Sequence, residues 1–236
     1  MGRLAARSAR VHHQMSVGTY PRVRGEFETI AKLQAGYSIA RFGDGELKMA
    51  HGNGYRRQEP REQLAAQLQK ILARPSPMCL VGIPTMYPAG PKYEGWLRHR
   101  DRFLPLLSDD VTYYSAFITR PDSAPWIETQ EYCEAMQSLW AGKRVAVLCE
   151  RKGSIFRAVK PAARQAVHIE CPHVGAWDVR KQLKAEILAV RPDVVIMSAG
   201  PAATCLADTF ASMDVQAIDL GSVGAMVCRV LGGRKR

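Results

Sequence analysis

The 236-residue chain lacks several things that would settle its class early. No apolar run approaches the roughly 18 residues needed to span a bilayer. No continuous apolar segment follows the basic N-terminus, so no secretory signal is expected. The six cysteines, Cys79, Cys133, Cys149, Cys171, Cys205 and Cys228, form no C-x-x-C pair. Several lie inside apolar runs, where a reduced thiol behaves as a small hydrophobe, so a reducing, cytoplasmic setting is expected. Internal repeats and low-complexity tracts are missing. So are G-x-G-x-x-G, the P-loop, the nucleophile elbow and H-E-x-x-H.

Acid is missing from both ends. Residues 1–24 carry Arg3, Arg7, Arg10, Arg22 and Arg24 with no Asp or Glu, and beyond Asp219 stand Arg229, Arg234, Lys235 and Arg236, again without acid. Nine of the +11 net charges therefore belong to the ends, which leaves +2 for the body. A nucleic-acid binder more often carries its basic patch on the fold. The expectation is no nucleic acid, and basic ends that are solvated or weakly drawn to an anionic membrane surface, at its inner face.

What is present is ordinary globular composition, 47% hydrophobic and 23% charged, in a length that suits one large domain. The organisation read from it is a flexible arm over 1–24, a domain over 25–228 and a basic tail over 229–236. From Glu26 onward helical and strand patterns alternate. "EFETIAKLQAG" reads as a helix ended by Gly36, "YSIARF" as a strand, and "REQLAAQLQKILA" as a helix with Leu64, Leu68, Ile71 and Leu72 on one face. "MCLVGIP", "VTYYSAFIT", "RVAVLCE", "AVHIEC", "DVVIMSAG" and "VQAIDLG" read as strands. Helices are expected over 94–107, 126–140, "DVRKQLKAEILAV" and "PAATCLADTFAS". Near-continuous apolar strands separated by helices predict a mostly parallel sheet covered on both faces, an α/β, Rossmann-like fold. Such sheets bind ligands beyond the carboxyl ends of their strands.

Three strand ends carry residues suited to a ligand. Ser198-Ala199-Gly200-Pro201 offers a sharp turn and a helix start whose free N–H groups can meet a phosphate, although any β-to-α turn favours Gly and Pro. Glu150-Arg151-Lys152-Gly153-Ser154 places cations at a strand end, as a phosphate site or as a solvated loop. In Arg41-Phe42-Gly43-Asp44-Gly45-Glu46 two carboxylates flank a glycine. Asp44 can cap a helix through "GELKMA", and Glu46 suits that helix's positive end. The same pair can converge on a hard divalent cation whose shell is completed by phosphates, with Arg41 facing the same ligand. Residue types alone leave both readings standing. Of the histidines, His168 lies in an apolar strand, while His173, in "CPHVGAWD", follows a strand end and can act as a base.

"SIARFGDGEL" resembles the DXE-containing segment of the GT-D-type glycosyltransferases. "FITRPD" around Arg120, "VAVLCERKGSIF", "IECPHVGAWD" and "VVIMSAGPAATCLADTFASMDVQAIDLGSVGAM" are similar, in order, to later segments of that family, over roughly residues 26–228. The resemblance implies a hexosyl transfer from a nucleoside diphosphate sugar, with UDP expected, to a hydroxyl of a glycan or glycoconjugate in polysaccharide or glycoprotein assembly. It implies Mn²⁺ or Mg²⁺ held by Asp44 and Glu46. Arg41, Phe42, Gly43 and Gly45 become donor-site lining and Arg120 a diphosphate or sugar contact. Glu150, Lys152, Gly200 and Pro201 join the nucleotide-sugar side, with His173 and Asp219 as candidate bases. Two departures stand out: Ser222 replaces a family histidine, and Val174-Gly175-Ala176-Trp177 replaces Asn-Ala-aromatic. The alternative is a Rossmann-like nucleotide-binding protein that is non-catalytic or acts differently.

Overall fold

The computed structural model describes residues 20–221 except 57, 89, 91, 151 and 152. Its strands are β1 (Val23–Arg24), β2 (Ser38–Arg41), β3 (Cys79–Ile83), β4 (Tyr113–Ser115), β5 (Arg144–Cys149), β6 (Gln165–Glu170), β7 (Val194–Ser198) and β8 (Ala217–Asp219). They form one sheet in the order β1-β4-β3-β2-β8-β7-β5-β6, and every pairing is parallel. The helices are α1 (Glu26–Gln34), α2 (Asp44–Ala50), α3 (Glu62–Ala73), α4 (Tyr93–Phe103), α5 (Gln130–Gln137), α6 (Ser154–Val159), α7 (Arg180–Val190) and α8 (Pro201–Ala211).

The expected doubly covered parallel sheet is what forms. Successive strand residues face opposite sides, and both sides are dry. Ala146 and Leu148 of β5 join Leu47, Leu68, Leu183 and Phe210 on one face. Val145 and Val147 join Ile30, Leu33, Met136 and Trp140 on the other. Helix α8 lies across β2 and β8. Its buried residues Ala202, Ala203 and Ala207 are small enough to let the two backbones approach.

Three local readings change. Val23 pairs with Tyr113 and is buried, as is Tyr20, so the fold begins inside the stretch read as an arm. A two-residue strand flanked by arginines gives no periodic signal. The strand read through "VTYYSAFIT" stops at Ser115, and 116–119 turn along the sheet's carboxyl edge. The polar loop after β5 gives way to the short helix α6. Residues 1–19 and 222–236, with Ser222 and most of both basic ends, lie outside the described residues.

All strands being parallel, their carboxyl ends share one edge. β2 and β8, distant in sequence, are neighbours near the middle of the sheet. Arg41-to-Glu46 and Asp219-to-Gly221 therefore meet there.

Candidate active site at the carboxyl edge

Arg41 ends β2 and is 7% exposed. Its Nη1 donates to Thr119 Oγ1 at 2.8 Å and its Nη2 to the Ala116 carbonyl. Nε is buried with no hydrogen-bond partner among the described residues. Burial lowers this guanidinium to about 10, helped by the Arg120 charge and opposed by Asp219. Gly221 explains part of the packing: it has φ +70°, and a Cβ there would lie 3.0 Å from Arg41 Nη1.

Asp219, 2% exposed, accepts from the Arg41 N–H (3.3 Å), the Thr204 hydroxyl (3.1 Å) and the Gly221 N–H (2.8 Å). Burial still pushes its carboxyl above the usual range, against the opposing pull of Arg41. Both its oxygens are engaged within the protein.

The DXE turn differs from the expected cap. Helix α2 starts at Asp44, and its N-cap is Gly43. Glu46, at the third helical position, reaches back so that Oε2 accepts the Gly43 N–H at 3.0 Å. Asp44 is not the cap; its Oδ2 accepts the Tyr55 hydroxyl at 3.0 Å. Gly45 is required by a close approach, because a Cβ there would sit 2.6 Å from the Tyr55 ring. Each carboxylate thus commits one oxygen to these bonds, and among the described residues no other side chain bonds the second. Burial, then the Asp219 charge, pushes Glu46 up to about 7.

Arg120 extends the edge beyond β4. Its Nε and Nη2 grip Asp122 at 2.7 Å each, and Lys92 closes on the same carboxylate. That bond raises Arg120 above the usual arginine value, with Asp44 adding to it, and Arg120 holds Asp122 well below the usual carboxylate range. Helix α4 packs against α2. His99, half-buried on α4, has Nδ1 sealed with no partner among the described residues; burial lowers its basicity, and Asp44 is the charge that most opposes this.

The other expected residues lie elsewhere. Phe42 is wholly buried in the core, so its ring does not line the site. Gly200, at φ +56°, caps α8 and Pro201 begins it, at the end of the neighbouring β7. Glu150 follows β5, where it pairs with His173 Nδ1 from the loop after β6. Between β2 and β6 lie four ladder steps, about 19 Å. Lys152 is outside the described residues. Sequence reading did not find Tyr55, Thr119, Asp122 or His99 as partners of this edge. Only the Trp96–His99 spacing on one helical face offered a signal, and it does not distinguish a site from a packed face.

A sequence model described as Glycosyltransferase GT-D fold matches residues 39–225. The chain belongs to that family. It is 24% identical over 216 residues to Glycosyltransferase GlyD of Streptococcus pneumoniae serotype 4, covering 85% of this chain and 26% of that protein. It is 26% identical over 206 residues to the probable glycosyl transferase Gly of Streptococcus gordonii, covering 81% and 30%. The chain thus spans under a third of either curated relative. Among solved structures, one described as the highly conserved domain of unknown function 1792 with a distinct glycosyltransferase fold superposes with a TM-score of 0.75 at 25% identity, over 86% of this chain and 78% of that one. A glycosyltransferase of the same domain from Streptococcus sanguinis superposes with a TM-score of 0.72 at 20% identity, over 85% and 81%. Fold and family therefore agree.

The carboxylates of the turn can be weighed as metal ligands. Among the described residues no three His, Cys, Asp or Glu side chains form a group able to hold an ion alone. The carboxylates at the first and third positions of α2, on either side of Gly45, are nevertheless the hard donors that Mg²⁺ or Mn²⁺ takes when substrate phosphates fill the remaining shell. Glu46, crowded by Asp219 and Asp44, gains from a cation beside it. The donor set fits.

Proposed function

We propose that this chain transfers a hexosyl unit from a nucleoside diphosphate sugar, UDP-linked, to a hydroxyl of a glycan or glycoconjugate. The observation that carries this is the pair Asp44 and Glu46, each with one oxygen uncommitted at the edge where β2 and β8 meet. Mn²⁺ or Mg²⁺ held there would offset the charge gathering on the departing diphosphate. Arg120, on the same edge, supplies a fixed positive charge toward the diphosphate. Arg41 acts from beneath: buried and bonded to Thr119 and Ala116, it sets the floor and adds its field.

In the transfer, the acceptor oxygen bonds to the anomeric carbon while the bond from that carbon to the diphosphate oxygen breaks. The diphosphate leaves with the electron pair, and the hydroxyl proton passes to a base. Of the two candidates, Asp219 has both oxygens occupied. His173 is held at Nδ1 by Glu150, which leaves Nε2 to take the proton. The base in this reading is His173, with Glu150 as the positioning carboxylate, carried toward the Asp44 turn by the loop after β6, which Gln58 holds at Trp177.

Among the described residues no helix is long and apolar enough to cross a membrane. We place the protein in the cytoplasm, with its basic ends as a weak membrane tether. Co-sedimentation with anionic vesicles is expected to vanish when residues 1–19 are deleted; undiminished binding would refute the tether.

The main test measures UDP release from a set of UDP sugars with Mn²⁺ present. Wild type is expected to release UDP from one of them, and Glu46→Ala to lose this while keeping its thermal transition. If Glu46→Ala melts the protein yet leaves UDP binding unchanged in what remains folded, Glu46 is a cap and the reading fails.

A further inference from the structure

A second feature of the carboxyl edge lies outside the donor site. The loop between α2 and α3 forms a bridge. At one end Tyr55 packs on Gly45 and bonds Asp44. Tyr55 and Gln58 then exchange both backbone hydrogen bonds at 3.0 Å. At the other end the Gln58 Oε1, 5% exposed as a residue, accepts the Trp177 N–H at 3.3 Å. This run of contacts ends at an open cleft of about 470 Å³ whose walls include Arg61, Gln63, Trp177, Asp178 and Arg180.

The cleft is built of paired planar polar groups. Arg61 holds Asp178 through Nε (3.1 Å) and Nη2 (3.4 Å). Arg180 lies over the Trp177 ring, 3.5 Å from its centroid, and donates to the Trp177 carbonyl at 3.0 Å. Gln63 is exposed at the rim. Two guanidiniums are matched by the carboxylates of Glu62 and Asp178 in the same wall, so the lining is close to neutral. At the Asp44 turn the carboxylates instead stand, among the described residues, without a guanidinium paired to them, as a site for a cation and a diphosphate requires. Adjacent forks of donors and acceptors suit a ligand whose neighbouring groups each donate and accept, and a neutral wall gives no advantage to a polyanion.

We propose that this cleft is the acceptor subsite and binds a neutral, hydroxyl-rich saccharide. The inference rests on the glycosyltransferase reading above. Its position agrees with the chemistry. The loop that ends in Trp177 and Asp178 also carries His173, four residues before Trp177, which is at most about 14 Å of chain. One loop thereby carries both Asp178 on the cleft wall and the base, while the Tyr55–Gln58 bridge ties that loop to the Asp44 turn through the buried Trp177.

The test uses saturation-transfer NMR on the full chain with UDP and Mg²⁺ present. The probes are the methyl glycosides of glucose, galactose and N-acetylglucosamine. Wild type is expected to bind at least one of them. Arg61→Ala and Gln63→Ala, each removing hydrogen bonds worth about 1 kcal/mol, are expected to bind it roughly fivefold more weakly. The UDP-induced thermal shift should stay at the wild-type value. Gln63 is exposed, so its variant keeps the test valid if Arg61→Ala fails to fold. Unchanged glycoside binding in Gln63→Ala with UDP binding intact overturns the subsite. So does the failure of all three glycosides to bind a wild type that still responds to UDP. Loss of the UDP response in wild type itself sinks the nucleotide-sugar reading instead, so the two failures are told apart.

Discussion

The middle of the carboxyl edge and its β6 end are built on opposite principles. At β2 and β8 the charged groups are deep: Arg41 and Asp219 are nearly inaccessible and tied into several elements at once. At the ends of β5 and β6 the proposed base belongs to one half-exposed pair, His173 with Glu150. Buried charge fixes a geometry but makes stability hostage to every partner. An exposed pair contributes almost nothing to stability and is free to exchange protons with a substrate. On the function proposed above, a rigid donor floor is thereby set apart from an adjustable acceptor side.

Asp219→Ala should break this contrast most visibly. It strips the acceptor from three donors and leaves the buried Arg41 charge uncompensated, a loss of about 3–5 kcal/mol in chemical denaturation. A change below about 1 kcal/mol would mean that the floor is not rigid in the sense argued.

His173→Ala should do the reverse. Transfer is expected to fall about 10²–10⁴-fold while the denaturation midpoint and UDP affinity stay put. Retained transfer with lost stability would exchange the roles of the two regions.

Gly45→Ala lies between them. The new methyl meets the Tyr55 ring at 2.6 Å, so Tyr55 must leave Asp44. A loss of about 1–3 kcal/mol is expected, together with weaker UDP binding.

A further test is in pH. Glu46 is raised to about 7 in the folded chain, chiefly by burial, against about 4.3 unfolded. Between those values the folded state holds more protons, so this group's contribution to stability is full below about pH 4.3 and falls as pH rises toward 7. Without metal, Glu46→Gln should flatten the decline of melting temperature across that window; an unchanged slope would reject the assignment.

The fold was legible because its information is local. Apolar strands separated by amphipathic helices need no partner to be recognised, and only the arginine-flanked β1 and the short α6 escaped. The site was legible in its residue types but not in its roles. Glu46 and Asp44 were visible as a pair, yet which one caps α2 depended on a helix start one residue earlier than "GELKMA" suggests. Arg41 was read as facing a ligand. Its burial under Thr119 and Ala116 follows from a loop more than 70 residues away. Tyr55, Asp122 and His99 carry no spacing that ties them to this edge; only the tertiary packing of the loops and of α4 brings them there. The departure at Trp177 was visible in sequence, and the structure gives it a place, on the cleft wall bound to Gln58.

The central claim is that the half-committed carboxylates of the Asp44–Glu46 turn hold the cation that holds the diphosphate. Calorimetric titration of UDP into wild type, Asp44→Asn and Glu46→Gln, each with and without Mn²⁺, addresses it most directly. The account predicts Mn²⁺-dependent binding in wild type and its loss in both variants, with their folds intact. Mn²⁺-dependent UDP binding that survives in both folded variants would contradict it.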